Sequence, residues 1–315
     1  MFENTFLISL IGFFVVLTPL IFFHELGHYF AAIKSGVKVD TFSIGFGPEI
    51  FGYTDRKNTR WKFSLIPLGG YVKMKGELVN LSNKIEKNSL EKDSFLQASL
   101  FSRFIIVLSG PLANLFLGIF LIIGLYFLNG RYVSPPIINE VMISKPAMES
   151  GIMSGDRIVS INKKKIKDFS EIKNIVESNP NNPLSFKILR SDSIIFKTIV
   201  PYNFYDKSSK KNIGRIAVTA VQPELKKLTI LNSLKLGFLD SMNMTREWLR
   251  GLKSLFFFEV DKNDIMGPVG IAKISGSSLE RGLSSIIFLM AVLSINLGLI
   301  NLLPIPALDG GYILL

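Results

Sequence analysis

The sequence predicts a multi-span α-helical membrane protein with a small α+β domain inserted between its spans. Three runs contain no Asp, Glu, Lys or Arg: Phe6–Phe23, Phe104–Leu128 and Gly282–Leu308, with 18, 25 and 27 residues. About 20 apolar residues cross a bilayer as a helix, so we predict one span in each run; core helices of a soluble protein are the alternative. These runs account for a mean hydropathy of +0.36 with only 19% charged residues.

Composition excludes several classes of protein. The 315 residues include no cysteine, which excludes a disulfide-stapled secreted scaffold, a thiolate metal site and a cysteine nucleophile. The formal net charge is +11, but the chain has no dense basic run with interleaved aromatic residues. We therefore expect the basic residues to face water or lipid, and we expect no nucleic-acid partner.

The charges that flank the first run predict its orientation. Glu3 and no base precede it, whereas Lys34 and Lys38 follow it. Basic residues near a span favour the cytoplasm, so the N-terminus is expected outside, the loop 31–103 inside and the segment 131–281 outside. A run without a preceding base or a following small-residue cleavage site is not typical of a signal peptide.

The long segment after the second run divides into a domain and a helix. Ile137–Pro201 alternates short apolar runs with turn residues, which predicts an α+β domain with a helix near Ser170–Ser178. A polar linker is expected at Tyr202–Asn212. Leu228–Phe258 then has apolar residues at near-helical spacing with bases between them. Such an amphipathic helix lies on a membrane surface or against partner helices; packing on its own β domain is the alternative.

The end of the first run carries the motif with the clearest chemistry, His24-Glu25-Leu26-Gly27-His28. Two histidines four residues apart lie on one face of a helix and can bind one zinc ion, while the glutamate between them can act on a water molecule. The motif uses both histidines of the chain. The bland alternative is a pair of hydrogen-bonded histidines at a helix end, but ionisable groups beside a bilayer core are costly and usually functional.

A catalytic zinc ion takes three protein ligands and leaves one position open. Because cysteine and further histidine are absent, the third ligand has to be a carboxylate, and Asp309 is the acid that follows the last apolar run. Pro304 and Pro306 break the helix before it, and Gly310-Gly311 follow it. Irregular backbone at membrane depth is tolerated where it lines a wet cavity. The alternative role for Asp309, a helix N-cap, is compatible with ligation.

Together these motifs resemble the site-2 protease family of intramembrane zinc metalloproteases, most closely the bacterial regulator-of-sigma-E protease type. The resemblance pairs the histidine motif with the stretch from Asn301 to Gly310 and covers nearly the whole chain. Further matching stretches are Phe42–Pro48, Ile66–Met74, Ser109–Asn114 and Gly267–Ala272, and Ala147–Asn162 resembles part of a PDZ domain.

The resemblance implies an organisation in six parts. It makes the inserted domain, which the flanking charges place outside the cytoplasm, PDZ-like; it makes the β region membrane-reentrant and places the start of a further, truncated membrane helix after Asp309. The parts are 1–30, the first span with the histidine motif; 31–103, the cytoplasmic or reentrant β region; 104–128, the second span; 131–202, the PDZ-like domain; 203–281, the linker and amphipathic helices; and 282–315, the third span with the aspartate motif.

The expected reaction is peptide hydrolysis. Zn²⁺ is held by His24, His28 and Asp309, and Glu25 takes a proton from water and gives it to the leaving amine. The resemblance also makes Asn296 and Asn301 candidates for holding the substrate or the backbone of the metal site; hydrogen bonds between helices are the alternative.

A helical substrate has to be unwound before it is cut. Phe42–Tyr53 and Trp61–Met74 read as β-strands separated by a charged turn, and their glycines include Gly69 and Gly70. An exposed edge there can bind an extended segment by β-addition. A cytoplasmic hairpin that only packs against the protein is the alternative.

The sequence therefore predicts an intramembrane zinc endopeptidase of the bacterial cytoplasmic membrane. Its expected partners are membrane lipids and single-span substrates, by resemblance trimmed anti-sigma factors or remnant signal peptides. One alternative is a non-catalytic membrane scaffold whose PDZ domain binds peptide termini. Another is a membrane zinc carrier, which is disfavoured because Glu25 and an open site suit hydrolysis better than transport and because this sequence has no second series of ligands across the bilayer.

Overall fold

The computed structural model describes residues 2–76, 92–206, 211–257, 267–306 and 308–314. The chain folds as two compact units, an inserted unit, Gly130–Leu228, and a helical unit made of Met1–Asn129 and Thr229–Leu315. The helices are α1 (Phe2–Lys34), α2 (Leu100–Asn129), α3 (Pro146–Glu149), α4 (Phe169–Glu177), α5 (Ile230–Phe256), α6 (Pro268–Glu280), α7 (Leu283–Asn301) and α8 (Asp309–Leu314). The strands are β1 (Val39–Thr54), β2 (Arg60–Met74), β3 (Arg131–Val133), β4 (Ile138–Val141), β5 (Arg157–Ile161), β6 (Lys164–Lys165), β7 (Leu184–Arg190), β8 (Ser193–Ile199), β9 (Tyr202–Asp206), β10 (Lys211–Arg215), β11 (Val218–Ala220) and β12 (Glu224–Lys226).

Three helices are long and apolar enough to cross a membrane: Phe6–Lys34, Leu100–Asn129 and Leu283–Asn301. Each of them overlaps one of the three apolar runs in which the sequence predicts a span. The third is shorter than its apolar run, because α7 ends at Asn301, ahead of the prolines that cannot continue a helix.

Small residues let the helices of the helical unit pack closely. A Cβ atom at Gly27 of α1 would overlap the carbonyl of Ser109 in α2, and one at Gly298 of α7 would meet the carbonyl of Pro111 in α2. Interfaces between membrane helices are enriched in small residues, which allow such close approach of the backbones. As a result, the C-terminal half of α1, the N-terminal half of α2 and the end of α7 meet.

The predicted hairpin of β1 and β2 is present, and each of its strands is paired on two sides. Residues 41–44 pair with 60–63 on one side and with 70–73 on the other, while 51–54 pair with 60–63. The two bent strands therefore form a small sheet of four segments with 70–74 at one edge. Ile50, Phe51 and Leu65 are 60% exposed or more, which fits contact with lipid; reentry into the membrane stays a prediction.

One carboxylate anchors the hairpin to α1. Asp55 accepts hydrogen bonds from the indole of Trp61, at 2.9 Å, and the hydroxyl of Tyr29, at 3.1 Å. Burial alone would raise the pKa of Asp55, but the hydrogen bonds it accepts, that from Trp61 first, outweigh burial and hold this pKa below its usual value. The carboxylate therefore stays ionised at neutral pH and keeps these bonds.

The inserted unit contains the predicted strands and helix between residues 137 and 201. Its main sheet has the order β6-β5-β7-β8, and its core includes Ile158, Phe186 and Ile188. The carboxylate of Asp156 is fully buried and accepts two 2.7 Å bonds from the guanidinium of Arg190. This pairing fixes the loop before β5, because an unpaired buried carboxylate would be strongly destabilising.

The inserted unit is longer than predicted. Where a linker is expected over Tyr202–Asn212, β9 and β10 pair antiparallel, with Phe204 opposite Ile213. The guanidinium of Arg215 lies 3.7 Å from the ring centre of Phe204. Cross-strand apolar and cation–π contacts stabilise the pairing of these two strands, although the segment contains many polar residues.

The predicted amphipathic helix is α5, and it packs on two of the helices that are able to cross a membrane. A Cβ atom at Gly237 would overlap Ile123 of α2, and the hydroxyl of Tyr126 donates to Asp240 at 2.7 Å. Leu231 and Phe238, on another face, are 75% and 49% exposed. One face of α5 therefore packs against partner helices, α2 and α7, which is one of the two arrangements expected from the sequence. Its exposed apolar face is suited to contact with lipid.

Candidate metal centre

Two histidines of α1 and an aspartate that lies far from them in the sequence meet in the helical unit. His24 Nε2 lies 3.2 Å from His28 Nε2 and 3.1 Å from Asp309 Oδ2, and His28 Nε2 lies 3.5 Å from Asp309 Oδ1. Both histidines are only 8% exposed. Among the described residues, these three form the one cluster of ligand atoms close enough to share a metal ion.

Local structure explains how each side chain reaches the cluster. His24 and His28 are one helical turn apart on α1, so their rings share a face. Asp309 is the first residue of α8, directly after the proline-containing turn that ends α7. A Cβ atom at Gly310 would overlap the backbone carbonyls of Leu302 and Leu303. Only glycine permits this tight return of the chain toward α1.

Hydrogen bonds orient both imidazole rings. His28 Nδ1 lies 2.8 Å from the carbonyl of Ile106, and because a carbonyl can only accept, Nδ1 carries the proton and Nε2 a lone pair. His24 Nδ1 lies 3.2 Å from the carboxamide of Asn114. Asp309 Oδ2 is buried, and the nearest ring nitrogen, His24 Nε2, lies 3.1 Å from it. Ring nitrogens with lone pairs and carboxylate oxygens that lie this close together repel one another, and a bound cation would relieve that repulsion.

The distances suit zinc. Zinc binds imidazole nitrogen and carboxylate oxygen at 2.0–2.2 Å in a tetrahedron, which separates neighbouring ligand atoms by about 3.3 Å. The two imidazole nitrogens are 3.2 Å apart, and the carboxylate lies 3.1 Å from one of them through Oδ2 and 3.5 Å from the other through Oδ1, all close to that value. Two histidines and one carboxylate are also the protein ligands of many catalytic zinc sites, which leave a fourth position for water or substrate.

Glu25 lies in the same cavity, of about 530 Å³, which the cluster lines together with Gly70, Tyr71 and Val72 of β2. Its carboxylate accepts a hydrogen bond from the backbone amide of Val72. A Cβ atom at Gly70 would lie 3.1 Å from Cγ of Glu25 and 2.9 Å from Ile21. The absence of a side chain at Gly70 therefore lets the edge of the hairpin lie directly against Glu25.

The other predicted substrate residues lie elsewhere. Gly69 is covered by the ring of Phe46, which a Cβ atom would overlap. Asn296 and Asn301 are half-buried on α7 and are not among the described residues that line the cavity. Their roles in substrate binding stay predictions.

Two residues of α2 that contact the histidines had no assigned role in the sequence. Asn114, fully buried, contacts His24, and a Cβ atom at Gly110 would overlap the ring of His28. Both belong to the stretch Ser109–Asn114 that carries the family resemblance. The sequence does contain an indication of their role. A polar residue inside an apolar span, one helical turn after a glycine, is typical of a helix face that contacts another helix.

Comparison with known proteins gives a consistent result. Residues 12–315 match Peptidase family M50. A protein of Rickettsia conorii named as a candidate zinc metalloprotease is 37% identical over 98% of this chain and 87% of its own length. Zinc metalloprotease RasP of Geobacillus kaustophilus is 32% identical, with 97% of this chain and 88% of that protein covered.

Solved PDZ domains match part of the chain. The PDZ domain of an SdrC-like protein from Listeria innocua covers 29% of this chain and 99% of its own, with 19% identity and a TM-score of 0.24.

Proposed function

The chain belongs to peptidase family M50, the site-2 protease family, and on that premise we propose that it cleaves the transmembrane segments of single-span membrane proteins. It is a zinc metalloendopeptidase of the membrane. The observation that carries the proposal is the meeting of His24, His28 and Asp309 beside Glu25, at the end of a helix able to cross a bilayer. A scaffold that only binds peptides has no use for these four side chains together.

The residues of the cluster divide the chemistry between them. His24, His28 and Asp309 would hold the zinc ion, which when bound lowers the pKa of a water molecule to about 7 and polarises the peptide carbonyl. Glu25 takes the proton of the attacking water at its carboxylate and later gives it to the leaving nitrogen. The amide of Val72 holds that carboxylate in place by a hydrogen bond.

We propose that the substrate binds as an added strand at the 70–74 edge of the hairpin. The carbonyls of a helical substrate are bonded within the helix, so cleavage needs an extended segment. Because the amide of Val72 faces Glu25, strand alternation puts the amide and carbonyl of Gly70 on the same edge. An unwound segment that pairs there would lie beside Glu25.

This predicts different effects for two substitutions of Gly70. Alanine adds one carbon and keeps the backbone donor, whereas proline adds a three-carbon ring, fixes φ and removes the donor. Gly70→Pro is expected to lower kcat/KM by about 10-fold more than Gly70→Ala, as loss of one hydrogen bond predicts, while zinc content stays equal. Equal losses in the two variants, measured on the full chain, would count against strand addition at this edge.

We propose that the inserted unit, PDZ-like by resemblance, excludes substrates with bulky extracytoplasmic domains. An intramembrane site without such a device would cut membrane proteins indiscriminately. This role fits substrates that another protease has already trimmed, such as anti-sigma factors, or remnant signal peptides. Capture of a newly made C-terminus is the competing role. The proposed location is the bacterial cytoplasmic membrane, with the inserted unit on the outer side.

One experiment tests the activity and the filter together. The full chain in liposomes is given two substrates that share one span, the first with a short outer tail and the second with a folded outer domain. The short substrate is expected to be cut, to resist cutting after chelation, and to be cut again when Zn²⁺ is restored. Replacing 130–228 by a short linker is expected to retain zinc and to allow both substrates to be cut.

Two results would count against these proposals. A purified chain with no stoichiometric zinc and no cleavage would favour the scaffold. If the shortened protein binds zinc but no longer cuts the short substrate, the inserted unit captures substrates and the filter is wrong.

A further inference from the structure

We propose that Asn114 is a positioning residue whose amide oxygen accepts the Nδ1 proton of His24, so that Nε2 of His24 offers a lone pair to the metal. The inference rests on the proposed zinc site and adds a residue on a different helix. Loss of a hydrogen-bonding partner behind a metal-bound histidine typically weakens metal binding 10- to 100-fold.

The contacts of Asn114 leave one group without a partner. Its side chain is fully buried on α2. In the structure Nδ2 faces His24 Nδ1 at 3.2 Å, whereas Oδ1 has no hydrogen-bond partner among the described residues. The oxygen and nitrogen of a carboxamide have nearly the same shape, so their placement has to follow from the hydrogen bonds.

The two orientations of the carboxamide give His24 opposite roles. With the nitrogen at the contact, Nδ1 of His24 accepts, and Nε2 has to carry the proton and cannot bind a metal ion. With the oxygen at the contact, Nδ1 donates and Nε2 is free to bind. The second arrangement matches His28, whose Nδ1 donates to the carbonyl of Ile106 at 2.8 Å. Both rings then offer Nε2 to the same point.

The backbone of Asn114 is held as well. The hydroxyl of Ser294, fully buried on α7, donates to the carbonyl of Asn114 at 2.7 Å. The helix α7 leads into the turn that carries Asp309. Asn114 therefore contacts His24 through its side chain and the helix before Asp309 through its backbone, which ties two ligands of the site to α2.

The test compares Asn114→Asp with Asn114→Leu in the full chain. Aspartate keeps an acceptor at the position and leucine keeps the approximate volume without one. Zinc affinity, measured by competition with a chelator, is expected to fall 10- to 100-fold in Asn114→Leu and to stay within about threefold of the parent, or rise, in Asn114→Asp. Asn129→Leu, at the exposed end of the same helix, is the matched control and is expected to bind zinc like the parent.

A spectroscopic measurement does not depend on the variants folding. The chain has 2 histidines, so ¹⁵N-labelled imidazole gives two ring systems. In the zinc-loaded parent, both rings are expected to carry the proton on Nδ1. A proton on Nε2 of His24 would overturn the inference, as would parent-like zinc affinity in Asn114→Leu or equal losses in the aspartate and leucine variants. Failure of the parent to bind zinc would instead overturn the proposed function.

Discussion

Replacing Glu25 by glutamine is expected to abolish cleavage while zinc content stays at the level of the parent. Glutamine has nearly the same shape but cannot take a proton from water, and loss of a general acid–base group costs about 10²- to 10⁴-fold. Since Glu25 is expected both to activate water and to protonate the leaving amine, we expect the upper end of that range. The ligands His24, His28 and Asp309 are unchanged, so zinc should be retained.

The measurement is the rate of cleavage of a single-span substrate by the full chain, with zinc determined on the same sample. Glu140→Gln is the matched control, because Glu140 is an exposed residue of β4 in the inserted unit and should leave the rate unchanged. A Glu25→Gln variant that cuts as fast as the parent would show that the assigned mechanism is wrong.

The sequence predicted the parts of the site that depend on local spacing. His24 and His28 share a helix face because the helical period is 3.6 residues, and this period holds whatever surrounds α1. Asp309 could be chosen because the prolines and glycines around it mark irregular backbone, which at membrane depth needs a cavity. The observed separation of 3.1 Å between His24 and Asp309 agrees with that reasoning.

Features that depend on which helices or strands touch could not be predicted in the same way. Asn114 and Gly110 contact the histidines only because α1 and α2 cross at Gly27, and a sequence does not state that crossing. The pairing of residues 41–44 with two different segments could not be predicted for the same reason, because it depends on how the strands bend back on each other. The stretch Tyr202–Asn212 is rich in polar and charged residues, as a linker would be, and the pairing of β9 with β10 could not be predicted from the sequence alone.

Gly110→Ala is expected to remove zinc binding, although alanine is the better helix former. In an ordinary helix interior, alanine is favoured over glycine by about 1 kcal/mol. At Gly110, however, the added Cβ atom would overlap Nε2 of His28, the atom assigned to the metal. The ring would have to turn away and lose its 2.8 Å contact with the carbonyl of Ile106. Because a ligand itself is displaced, we expect zinc affinity to fall by more than the roughly 100-fold that loss of an outer partner costs.

The same helix provides the control. Gly124 also lies inside α2, but a Cβ atom there would meet none of the described residues within 4 Å. Gly124→Ala should therefore keep zinc and activity and leave the protein equally or more stable. Chelator competition and cleavage rate on both variants separate the steric effect from the change in helix propensity. If Gly110→Ala binds zinc as tightly as Gly124→Ala, His28 has room to move without loss of ligation, and the close packing of α2 against this ring is not what positions it.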